Sequence, residues 1–156
     1  MPSLDDRHKR IIKKVHKEKL PFKILDSNFR DFASYTTSIL LHIFKKREES
    51  ESLKWCFSTV KKGKVFLKIF ENNYLGKKMY KEELAKQLPE YSYKTIAAIV
   101  DEGVKKGIYV ELRPRVQNLI DSKIKNLRPS EDVAASFLNW YIEIINSINS
   151  ITKKYK

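Results

Sequence analysis

The chain has 156 residues, 42% of them hydrophobic, which is long enough for one domain with its own core and too apolar for disorder throughout. Its 32 Lys and Arg stand against 19 Asp and Glu, a formal net charge of +13. Such an excess points to a polyanionic partner, nucleic acid or an anionic membrane surface. The single cysteine, Cys56, excludes an intramolecular disulfide and a cysteine-rich zinc site.

Residues 1–25 read as a basic N-terminal arm. Arg7, Lys9, Arg10, Lys13, Lys14, Lys17, Lys19 and Lys23 outnumber Asp5, Asp6 and Glu18, and Ile11, Ile12 and Val15 offer one weak helical stripe before Pro21 interrupts. A solvated, partly ordered tail is the first expectation, a nucleic-acid arm the second. A long helix is predicted over 28–46: Phe29, Phe32, Thr36, Ile39, Leu40, Ile43 and Phe44 recur at three- and four-residue steps. Leu53 to Val60 forms a short helical piece, Lys61-Lys62-Gly63-Lys64 reads as a turn, and Val65, Phe66, Ile69 and Phe70 define another helix ending near Asn72-Asn73.

Tyr80 to Leu88 then gives a short helix and Pro89-Glu90-Tyr91 a turn. Ser92 is a good N-cap, with Tyr91 and Ile96 at the two positions of a hydrophobic staple. The helix it opens buries Ile96, Ile99 and Val100 and stops at Gly107. Ile108 to Leu112 has strand composition, Arg113-Pro114-Arg115 breaks it, and Leu119 to Leu127 supplies a second strand. Helix, turn, helix and hairpin in that order make a winged helix, with a helix-turn-helix over 80–106 and a wing over 108–127. Ser130 caps a last helix, 130–151, whose apolar surface is wider than a terminal helix of one small domain needs, so a partner helix is expected. Residues 152–156 read as a frayed basic tail. The fold class is thus mainly α, a winged helix-turn-helix domain over 26–151 with long N- and C-terminal helices forming a dimer interface.

No segment approaches the ~18 uninterrupted apolar residues of a membrane span, and the N-terminus is too charged for a secretory signal. A cytoplasmic, nucleoid-associated protein without membrane contact is expected. The three histidines, His8, His16 and His42, show no metal-ligand spacing. Cys56, between Trp55 and Phe57, reads as a small buried hydrophobe. No glycine loop cradles phosphate and no carboxylate pair has an apolar setting. We therefore expect no enzyme activity, no metal and no cofactor.

A helix fits the major groove, and its N-terminal side chains reach base edges. Here these are Ser92, Tyr93, Lys94 and Thr95, with Ala98 small enough for close approach. On the hairpin, Arg113, Arg115, Lys123 and Lys125 would meet phosphates or a minor groove, although charge and proline also protect a sheet edge. The 25 Lys against 7 Arg, with many Ile and Asn, also fit an AT-rich genome, which raises Lys independently of binding.

Three segments carry a family resemblance: Glu83-Leu84-Ala85-Lys86-Gln87-Leu88, Ser92 through Asp101, and Lys105-Lys106-Gly107-Ile108-Tyr109-Val110. They resemble the "ELA..L", "S..TV...VD" and "KKGLV" segments of MarR-type winged-helix transcription regulators. Asp121-Ser122-Lys123 is similar to that family's wing "D.R", with Lys for Arg, and Pro129-Ser130 to the "LT" before its fifth helix. The resemblance implies a homodimer on double-stranded DNA, clasped through Phe29, Phe32, Ile39, Phe137, Trp140, Tyr141, Ile144 and Ile148. Half-sites would lie ~34 Å apart. The chain departs from the pattern at Ala98, where many members carry Arg, and at Gly103, where a core Leu is usual. A nonspecific architectural DNA-binding protein, a protein-interaction module and an RNA-binding protein are the alternatives, the last lacking an aromatic sheet surface for stacking bases.

Overall fold

The computed structural model describes residues 6–112 and 126–156. The chain is mainly α-helical with one two-stranded antiparallel sheet among these residues. In order the elements are α1 (Asp6–Lys14), α2 (Phe29–Glu48), α3 (Glu51–Cys56), α4 (Val60–Tyr74), α5 (Lys81–Gln87), α6 (Tyr93–Lys105), β1 (Tyr109–Leu112), β2 (Asn126–Pro129) and α7 (Glu131–Tyr155). They divide into two compact units, residues 1–46 with 140–156, and residues 47–139.

The second unit has an aromatic centre. Phe66 of α4 lies 5.3 Å from Phe137, 5.8 Å from Phe57 and 6.4 Å from Tyr109, ring centre to ring centre. Val65, Ile69, Leu84, Ile96 and Val100 close around it, all fully buried. Cys56 belongs to this core, and burial pushes its thiol up to about 12. At neutral pH it holds no appreciable thiolate, so it packs as a small hydrophobe. The hydroxyl of Tyr109 is buried with no hydrogen-bond partner among the described residues. An unsatisfied buried hydroxyl costs stability. Tyr109→Phe is therefore expected to hold or raise stability, by up to ~1 kcal/mol, in urea unfolding; a clear loss would mean that the hydroxyl has a partner.

Two local expectations are corrected here. Lys61 to Lys64 is not a turn but the first turn of α4, because Thr59 caps it by accepting the Lys62 amide at 3.1 Å. Gly63 serves close packing within that helix, since a Cβ there would sit 3.2 Å from the Phe57 ring. The C-terminus is also no frayed tail as far as Tyr155: α7 continues to that residue, whose hydroxyl donates to Asp31 at 2.5 Å and whose ring stands 5.3 Å from Phe32. That contact holds Asp31 below the ordinary carboxylate range, the Tyr155 hydroxyl first and Lys154 after it.

In the first unit α2 and α7 pair antiparallel, with Trp140 donating its indole N–H to the Ile43 carbonyl at 3.0 Å and Lys154 reaching Asp31. Phe29, Phe32, Ile39 and Ile43 of α2, and Trp140 and Ile144 of α7, are buried or half-buried. A second apolar stripe stays open on each helix: Leu40, Leu41 and Phe44 on α2, and Tyr141, Ile142, Ile145 and Ile148 on α7. The arm is not simply a solvated tail, since α1 is a formed helix and Ile12 and Ile24 are buried. No helix among the described residues is long and apolar enough to cross a membrane.

Candidate nucleic-acid interface

The candidate site is the N-terminal end of α6. Ser92, with extended backbone, accepts the Thr95 amide at 3.1 Å through its hydroxyl, as its N-cap role requires. Ile96, Ile99, Val100 and Gly103 of α6 face the core. That leaves Ser92, Tyr93, Lys94 and Ala98 exposed, with Thr95 and Ala97 half-buried. Tyr93 is 48% exposed, and its hydroxyl donates to Glu82 of α5 at 3.4 Å. Lys94 has no ion-pair partner among the described residues, and the first turn of α6 carries no acidic side chain.

The far end of α6 is fixed by backbone geometry. Gly107 has φ +75°, its amide bonds the Val104 carbonyl at 3.0 Å, and the Ile108 amide bonds the Gly103 carbonyl at 2.9 Å. This double closure needs the left-handed residue that glycine supplies. The chain then enters β1, which pairs with β2 in the register Tyr109 to Pro129 and Leu112 to Asn126. The Ser130 amide continues the ladder to the Ile108 carbonyl at 2.8 Å. Ser130 caps α7 by accepting the Val133 amide at 3.3 Å.

Several positioning contacts escaped the sequence reading. Met79, fully buried before α5, accepts the Leu127 amide at 2.7 Å, and its own amide donates to the Asn126 side chain at 2.8 Å. The hairpin is thereby joined to the entry of α5. Asn72, also buried, donates to the Lys68 carbonyl at 2.7 Å and to Gln87 at 3.1 Å, which locks α4 to α5. Only the apolar Met79 among Lys77, Lys78 and Tyr80 hinted at the first of these.

The charges around α6 sort into paired and unpaired ones. Lys81 meets Asp101 at 2.6 Å, a hydrogen bond that holds the lysine above its ordinary value. Lys64 meets Glu90 at 3.1 Å and is raised by that bond, while Glu90 is lowered first by its own backbone amide and then by Lys64. Lys61 and Lys64 stand 5.8 and 5.5 Å from the Tyr91 ring centre. Reading 61–64 as a turn hid this. As part of α4, the pair brings positive charge beside the residue that precedes the α6 cap.

Arg113, Arg115, Lys123 and Lys125 lie outside the described residues. Of the side chains expected at a dimer seam, Phe137 is only 7% exposed and meets the Phe70 ring edge to face, 4.7 Å between centres, within its own unit. It is a core residue and has little left to offer a partner. Phe29, Phe32, Ile39, Trp140 and Ile144 are half-buried, whereas Tyr141 and Ile148 are exposed. Among the described residues no group of three His, Cys, Asp or Glu is placed to hold a metal ion. The chain matches no protein-family model, no curated protein and no solved structure.

Proposed function

We propose that this chain is a winged helix-turn-helix protein that binds double-stranded DNA as a homodimer and regulates transcription by covering promoter DNA. The observation that carries the reading is α6: its apolar stripe is sealed into the core while Ser92, Tyr93 and Lys94 stand exposed at its N-terminal turn. A helix held this way offers a groove the turn that reads bases. The preceding helix α5, the following hairpin and the +13 charge support the same reading. Tyr93, Lys94 and Thr95 would read bases. Arg113, Arg115, Lys123 and Lys125 would anchor phosphates.

Selection of bound sequences from a random duplex pool tests this. A recurrent, roughly palindromic motif is the expected result; recovery of no duplex above background overturns the proposal. On the selected site, Lys94→Glu is expected to weaken binding by at least ~10-fold, since a ~1–3 kcal/mol base contact is lost and a like charge gained. For a dimer neutralising eight phosphates, log affinity would fall against log salt with a slope of about −7. A nonspecific architectural role has one observation in its favour: exposed Ala98 offers no hydrogen bond to a base. Preference for the selected site below ~10³ over random DNA would favour that role.

A further inference from the structure

We infer that α1 is a second, separate nucleic-acid contact, a docked cationic helix that grips the phosphodiester backbone of a duplex; this rests on the DNA-binding reading above. The helix is two-faced. Ile12 is 5% exposed, and with Ile11 it lines a recess of about 290 Å³ shared with Phe29 and Ala33 of α2. Arg7, Lys9, Arg10, Lys13 and Lys14 lie on the remaining arc, all exposed. None of the five has an ion-pair partner among the described residues, and Asp6 is the helix's one acid. Five cations against one acid over 9 residues form a dense positive face whose mutual repulsion a polyanion would relieve.

The face also distinguishes among polyanions. A helix that lies in a lipid surface must turn its apolar side to the acyl chains, but here Ile12 is withdrawn into the recess with α2, and Ile11, 44% exposed, is the one apolar side chain of α1 left at the surface. A surface for unstacked single strands needs aromatic platforms, and the outward arc of α1 has none. What α1 presents is chiefly charge, which suits the phosphates of a duplex and carries no base readout. The expected effect is affinity without sequence preference.

The test uses the full chain and a random-sequence duplex, titrated with salt, for wild type, Lys94→Glu, and a variant with Arg7, Lys9, Arg10, Lys13 and Lys14 each changed to Gln. Glutamine keeps helix propensity and leaves Ile12 in place, and far-ultraviolet circular dichroism checks the fold. If three of the five cations meet phosphates, the slope of log affinity against log salt becomes shallower by about 2.7 per protomer, at ~0.9 per contact. The milder pair Arg10→Gln with Lys14→Gln is expected to give a proportionate part of that change. An unchanged slope in both arm variants, with wild type still binding, overturns the arm proposal and leaves the α6 reading standing. A shallower slope in the arm variants supports the arm, and Lys94→Glu inert on the selected site as well removes the α6 reading without touching that result. Loss of binding to anionic phospholipid vesicles with an unchanged duplex slope assigns the helix to membranes and overturns the proposal. No duplex binding by wild type overturns both.

Discussion

Replacing Gly103 with alanine is expected to lower stability by about 2 kcal/mol, the usual scale of overpacking in a filled core. Helix propensity alone predicts the opposite, because alanine is favoured over glycine by ~1 kcal/mol within a helix. Packing decides the sign. A Cβ at 103 would lie 2.3 Å from Cδ2 and 2.4 Å from Cε2 of Tyr109, with Trp55 a further 3.2 Å contact. Tyr109 cannot retreat easily, since it is 1% exposed and its ring is set between Phe66 and Trp55. Urea unfolding of the variant gives the measurement. In a Tyr109→Leu background the same glycine change is expected to cost less, and the double-mutant cycle reads the coupling between the two positions. A rise in the unfolding midpoint on Gly103→Ala alone would mean that the ring does not occupy this space.

Placing Glu at Ile142 and Ile145 is expected to convert the proposed dimer into a monomer in light scattering at micromolar concentration, while far-ultraviolet circular dichroism stays unchanged. Ile142 is 53% exposed and Ile145 44%, on the stripe of α7 that does not face α2. Leu41 of α2 is 64% exposed. Burying an isoleucine is worth ~1.5–3 kcal/mol, and a carboxylate in its place adds a desolvation cost. Symmetry doubles each effect in a twofold dimer. The contrasting change, Phe137→Ala, removes a core ring. It is expected to cost ~3–5 kcal/mol of folding stability rather than association alone. A wild-type protein that is already monomeric would remove the clasp from the proposal.

The sequence made the outward turn of α6 legible because its signals are local. A capping serine, a stripe at Ile96, Ile99 and Val100 and a stop at Gly107 act within one or two turns of chain, and each is found in that role. β1 was legible for the same reason. Lys61 through Lys64 are helical rather than a turn because a ring from outside α4, Phe57, makes glycine useful inside the helix, where glycine among lysines otherwise resembles a loop. The dimer residues follow from the family resemblance and a wide apolar surface, and periodicity cannot divide such a surface between partners. Phe137 follows the same helical spacing as Tyr141 and Ile148, yet it is 7% exposed where they are 50% and 55%.

By itself the sequence determined where α6 is capped and where it stops, which side of it is apolar, and that the chain carries a large positive charge, since capping, side-chain periodicity and composition are properties of neighbouring residues. Only the tertiary structure decided that Met79 joins the hairpin, that Gly103 makes room for Tyr109, and that the arm turns Ile12 inward and its cations outward. Those outcomes depend on atoms of different elements meeting at contact distance, where volume and unsatisfied hydrogen bonds, rather than local preference, set the free energy.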